Sequence, residues 1–150
     1  VNTLQAIAES VTSETSPEIN RLHVVSDAQR EQLFMSDFSR TDTGFWESSG
    51  PINIVDCDQW LKSAADQASS AFATVGPGLT KLVDDLPESI GCLPEEMWTP
   101  RASNVAAIAE RLAADNQFAD PFELEPFYLR KSSAEEKRDA KLADEAANQN

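Results

Sequence analysis

One histidine, His23, stands in the β-rich run Leu22-His23-Val24-Val25. A general base needs a nucleophile and an orienting group beside it, so a lone strand histidine reads as a packed or surface residue rather than a base. Without a second histidine, a His-based metal site is not supplied. Cys57 and Cys92 are far apart and form no CxxC or zinc spacing. They read as free, buried thiols in a reducing cytosol. The paired acids Asp84-Asp85 and Glu95-Glu96 could bind a metal or share a proton. They flank prolines and helix ends, where acids commonly cap and solvate. Gly76-Pro77-Gly78 is the most suggestive piece. A glycine-rich turn from strand to helix can aim backbone N–H groups at a phosphate. Pro77 removes one such donor, and Lys81 completes no Walker pattern. Neither GxGxxG nor GxSxG occurs. The residues therefore offer no catalytic constellation and no metal site. Gly76 and Gly78 are the candidate cofactor-contacting positions, on a weak signal, and a tight structural turn is the favoured reading.

The elements that would position these residues follow from local pattern. Asn2 or Thr3 caps a helix whose Leu4, Ile7, Ala8 and Val11 share one face, with Gln5 in the capping-box position. Residues 12–20 form a polar loop. Leu22 to Asp27 and Gln32 to Phe38 are two apolar runs across a short polar gap, which predicts an antiparallel hairpin. Ser39 to Pro51 reads as a second polar loop, with Phe45 and Trp46 inside it. Ile52 to Val55 is a third strand. Asp56 caps a helix with Gln59 in the capping-box position and an apolar face of Trp60, Leu61, Ala64, Ala65 and Ala68. Ala71 to Val75 is a fourth strand. Thr80 starts a short helix that Pro87 stops, and Ile90 to Leu93 forms a short strand. A longer helix over Ser103 to Asp115 carries Val105, Ile108, Ala109 and Leu112 toward the core, with Asn116 as its C-terminal cap. Phe122 to Arg130 should pack back on the body. Interspersed strands and helices predict an α/β or α+β class.

Composition narrows the function classes. The chain has 150 residues, 41 % hydrophobic and 25 % charged, which is a globular composition for one domain. It opens on Val rather than Met, so it is expected to be processed or cut from something longer. No apolar run approaches the ~20 residues of a membrane span. The net charge of −14 opposes binding to a phosphate backbone, so direct tRNA or DNA binding by this domain alone is not expected. Residues 131–150 hold four basic and five acidic side chains, so the acidity belongs to the body. The chain is read as a body over 1–130 and a charged, weakly ordered tail over 131–150.

Several segments, in order, carry a family resemblance. Val1-Asn2-Thr3-Leu4-Gln5-Ala6-Ile7-Ala8 resembles a helix start V-x-T-L-E-A-(I/L)-A. Asp27-Ala28-Gln29-Arg30-Glu31-Gln32-Leu33-Phe34 resembles a hairpin D-A-R-R-x-E-V-(Y/F), with one residue fewer before the Glu. Val75-Gly76-Pro77-Gly78-Leu79 resembles x-G-x-G-L, and Val105 to Ala109 resembles a helix of the same set. Leu124-Glu125-Pro126-Phe127-Tyr128-Leu129-Arg130 matches L-x-P-x-Y-(L/V)-R, and Ser133 to Lys137 resembles a tail that often follows it. Together they resemble the second half of the TsaB (YeaZ) family of bacterial tRNA threonylcarbamoyladenosine biosynthesis. The polar loop at Ser39 to Pro51 and the high acidity depart from the family pattern.

That resemblance implies the second lobe of an actin-like, ribonuclease-H-like fold: α/β, with a short mixed sheet packed with helices. It implies a non-catalytic scaffold for the related subunit TsaD, acting with the ATPase TsaE in threonylcarbamoyl transfer to the adenosine beside the anticodon. Contacts to those partners would come mainly from the first lobe, which this chain lacks. A homodimer is a further expected assembly, and the setting is cytoplasmic, with no cofactor and no membrane. The alternative is the nucleotide-binding lobe of a kinase-like enzyme of the same superfamily. Gly76 and Gly78 would then touch the nucleotide.

Overall fold

The computed structural model describes residues 1–67, 69–123, 125, 129–130 and 138. The chain divides into two units, Val1–Phe118 and Ala119–Asn150, and the elements named here lie in the first. Helix α1 spans Thr3–Ala8, and the Asn2 side chain accepts the Leu4 N–H at 2.8 Å. Capping by Asn2 satisfies one of the donors that a helix start leaves open. Strands β1 (Arg21–Gln29) and β2 (Gln32–Arg40) form the expected hairpin, longer than the apolar runs alone indicate. A β-ladder can run on through polar residues at a sheet end, which hydrophobic pattern does not register.

Strands β3 (Trp46–Ser48) and β4 (Asn53–Asp56) pair with successive lengths of the outer edge of β2. Helix α2 (Cys57–Asp66) then crosses to β5 (Phe72–Val75), which lies parallel to β1 with His23 opposite Thr74. The sheet order is β3-β2-β1-β5, with β4 also on β2. A parallel neighbour needs a crossover of this kind, whereas β1 and β2 need only a turn. The buried core joins Leu4 and Ile7 of α1 to Leu22, Val24, Phe38, Ala73 and Val75 of the sheet. Each Leu, Ile, Val or Phe among them stabilises the fold by roughly 1.5–3 kcal/mol on burial. Helix α3 (Ala102–Ala114) is tied to α1 by Asn104, which donates to the Ala6 carbonyl at 3.0 Å.

Several expectations are corrected. The stretch Ser39 to Pro51 is not all loop, because Trp46 is buried and starts β3. Thr80 caps no helix; Pro77–Lys81 is a 3-10 turn in which the Thr80 hydroxyl donates back to the Pro77 carbonyl. Ile90 to Leu93 contributes a single bridge, Cys92 to Thr74, rather than a strand. Of the α3 residues expected in the core, Ile108 is buried, but Val105 and Ala109 are exposed. The expected C-terminal signal at Asn116 is present, with φ +55° just past the helix end. Ala68, most of Leu124 to Arg130 and nearly all of 131–150 lie outside the described residues. Phe122, expected to pack back, is 98 % exposed. The packing expected of Leu124 and of Pro126 to Tyr128, and the order of the tail, lie outside the described residues.

Candidate functional site

The hairpin turn, the start of α2 and the turn after β5 meet around one cleft. Its cavity holds about 340 Å³ and is lined by Asp27, Glu31, Asp56, Asp58, Lys81 and Gly78, with Leu33, Cys57 and Leu82 between them. The backbone explains why these residues converge. Gln29, Arg30 and Glu31 all have positive φ, at 60°, 53° and 58°. Successive left-handed residues close a tight hairpin whose twist matches the strands, and here they do so without glycine. The Glu31 carbonyl then accepts the Cys57 N–H at 2.9 Å, which fixes the start of α2 against the turn. Asp56 caps α2 by accepting from Asp58 N at 3.1 Å and Gln59 N at 3.4 Å.

Electrostatics define what the cleft can hold. Lys81 Nζ lies 2.6 Å from Asp27 Oδ2, and Gln29 N–H donates to Asp27 Oδ1 at 2.8 Å. The lysine bond foremost, and then the backbone donor, hold the Asp27 carboxyl below its usual range. Burial first, then the surrounding Asp56, Asp27, Asp58 and Glu31, push the Cys57 thiol up. A thiol so placed is a poor nucleophile, because the thiolate is the reactive form. Four carboxylates against one lysine attract cationic groups and oppose a polyphosphate. Among the described residues, no group of three or more His, Cys, Asp or Glu is arranged to hold a metal ion.

The glycines of Gly76-Pro77-Gly78 have a packing explanation. Gly76 has φ +125°, and a Cβ there would lie 2.1 Å from the Val25 carbonyl oxygen. A Cβ at Gly78 would meet Leu33 Cδ2 at 2.9 Å and Ser26 N at 3.0 Å. Both glycines let the 3-10 turn press onto β1. Gly78 lines the cleft and Gly76 does not.

The other candidates stand apart. His23 is buried in β1, with Nε2 2.7 Å from Asp37 Oδ1 and its ring edge-on to Phe72 at 4.6 Å. Asp84 and Asp85 are exposed in a turn, and Glu95 and Glu96 open a short 3-10 helix. Cys57 and Cys92 are both free thiols, but neither is buried as expected: Cys57 is half-buried and Cys92 is exposed. Sequence reasoning did not assemble Asp27, Glu31, Asp56 and Lys81, because they come from three separate segments. The signal for the site was partial: Asp56 read as a helix cap, and Asp27 opened the hairpin motif.

A second groove of about 430 Å³ lies between α3 and the segment from Thr41 to Glu47. There Arg111 stacks 3.9 Å over the Phe45 ring and pairs with Glu9 at 3.0 Å.

Fold and site thus define a mixed α/β lobe with an acidic cleft. No family model and no curated protein matches the chain. Solved structures do. A Pseudomonas aeruginosa protein described as similar to the peptidase YeaZ aligns with TM-score 0.66 and 17 % identity. That alignment covers 87 % of this chain and 57 % of the other. YeaZ from Pseudomonas aeruginosa aligns with TM-score 0.65 and 17 % identity, covering 85 % of this chain and 58 % of the other. The protein has a YeaZ-like fold, consistent with an actin-like lobe, and spans under two thirds of those two chains.

Proposed function

We propose that this chain is the second lobe of a TsaB-type scaffold. It supports a TsaD-type subunit in threonylcarbamoyl transfer to the tRNA adenosine beside the anticodon. The observation that carries the reading is the YeaZ-like fold over most of the chain, with the family-like motifs falling in order along it. The hairpin motif forms β1 and β2, and the glycine motif forms the turn after β5. On this reading the lobe performs no chemistry itself. The TsaD and TsaE partners meet mainly a first lobe, and the protein works in the cytoplasm. Among the described residues, no helix is long and apolar enough to cross a membrane.

The nucleotide-binding alternative draws less support. Its two glycines are accounted for by packing on β1, and the adjoining cleft is acidic.

The test is depletion of the full-length protein in its own cells, followed by measurement of threonylcarbamoyladenosine in bulk tRNA. The expected result is a marked fall. Normal levels would overturn the scaffold reading. Calorimetric titration with ATP separates the alternative, which requires saturable binding.

A further inference from the structure

Between the sheet and α2 lies a small polar layer that no role described above uses. His23, Thr74 and Trp60 are 2 %, 0 % and 2 % exposed. His23 and Thr74 are register partners on the parallel strands β1 and β5. The Trp60 ring, from α2, lies 6.4 Å from the His23 ring. Among the described residues, three atoms here have no hydrogen-bond partner: His23 Nδ1, Thr74 Oγ1 and Trp60 Nε1. Buried polar atoms are nearly always satisfied, so three orphans in one layer require an explanation.

We propose that these three atoms bind one internal water that joins α2 to the sheet. The donor and acceptor inventory fits a single water. His23 Nε2 faces a carboxylate, which accepts only, so Nε2 carries the hydrogen. Nδ1 accepts if the ring is neutral and donates if it is charged, and a water can meet either need. The indole N–H of Trp60 is a donor only, and the Thr74 hydroxyl is either. A water accepts from Trp60, bonds His23 Nδ1 and exchanges with Thr74, which gives it the two to four partners a buried water needs. Register partners on neighbouring strands present their side chains on the same face of the sheet, which puts His23 and Thr74 side by side there. Phe72 lies edge-on to His23, with ring centroids 4.6 Å apart.

The experiment pairs Thr74→Val with Thr74→Ser and reads hydrogen exchange of the α2 amides. Valine keeps the shape and removes the hydroxyl; serine keeps the hydroxyl and removes the methyl. If the hydroxyl holds the water, Thr74→Val speeds α2 exchange about tenfold, and Thr74→Ser stays near the wild-type rate. The opposite order would show that Thr74 acts by apolar packing and would overturn the proposal. A high-resolution crystal structure of the unaltered protein is the second readout. Solvent density within hydrogen-bond distance of His23 Nδ1 and one of the other two atoms is expected. A direct bond between His23 and Thr74, or a dry contact at Nδ1, would also overturn it.

Discussion

His23 and Asp37 face each other across β1 and β2, with Nε2 2.7 Å from Oδ1, the ring buried and the carboxylate nearly half exposed. The hydrogen bond from His23 holds the Asp37 carboxyl below its usual range, against the opposing effect of burial, with smaller help from the charges of His23 and Arg21. The folded value therefore lies under the unfolded one of about 3.9. Such a pair stabilises the fold above the unfolded value, and its contribution is lost as the pH falls through the depressed value. Asp37→Asn should cost about 1 kcal/mol near neutral pH, a figure already reduced for solvent screening. The gap between variant and wild type should close as the pH is lowered through the carboxylate range. Urea unfolding at a series of pH values measures it, and a constant gap would contradict the assignment.

Much of the fold was legible because its signals were local. Asn2 and Asp56 cap α1 and α2 as their positions indicate. The two apolar runs around Gln29 to Glu31 form the hairpin. β3 was not legible, because Trp46 is its single buried residue and Glu47 and Ser48 are polar and exposed. The cleft was legible only in fragments. Its acids serve local tasks, a cap at Asp56 and a turn at Asp27, and their meeting depends on the crossover from β4 through α2 to β5. No periodicity within one segment encodes a long-range arrangement of that kind.

Trp46 anchors the segment Ser39 to Pro51, whose polar pattern predicts a loop. Its indole N–H donates to the Val11 carbonyl at 2.8 Å, and Arg40 lies 4.6 Å over its ring. Arg40 in turn donates to Ser13 Oγ at 2.7 Å and to the Ser16 carbonyl at 3.1 Å. Trp46→Ala should cost about 3–5 kcal/mol by leaving a cavity. Trp46→Phe should cost less, about 1–2 kcal/mol, chiefly from the lost hydrogen bond. Chemical denaturation compares the two, and equal losses would mean that the aromatic bulk contributes little.

Gly76 is required by the backbone. Its φ of +125° is strained for any side chain, and a Cβ would strike the Val25 carbonyl at 2.1 Å. Gly76→Ala should therefore cost roughly 3 kcal/mol or more. Gly50, with nothing within 4 Å of its Cβ position, is the control, and Gly50→Ala should leave the melting temperature nearly unchanged. Similar melting temperatures for the two variants would remove the packing account and reopen a ligand role for the glycine turn.

Helix α3 gives the last prediction. Val105 and Ile108 are three residues apart, so both belong to one apolar side at helical spacing. The structure separates them: Ile108 is 2 % exposed and Val105 is 40 % exposed. The reason is the tilt set by two polar ties to the body. Asn104 donates to the Ala6 carbonyl at 3.0 Å and to Ser10 Oγ at 2.9 Å, and Arg111 reaches Glu9 at 3.0 Å. Asn104, Ile108 and Arg111 follow one another at four- and three-residue steps, and their common direction faces inward. Val105 lies one residue off that line and turns toward solvent. Ile108→Ala should then cost about 2–5 kcal/mol, while Val105→Ala should change stability by no more than about 0.5 kcal/mol. Thermal unfolding of the two variants decides between this tilt and the sequence pattern. A loss at Val105 matching that at Ile108 would mean that the whole apolar side of α3 is covered in solution.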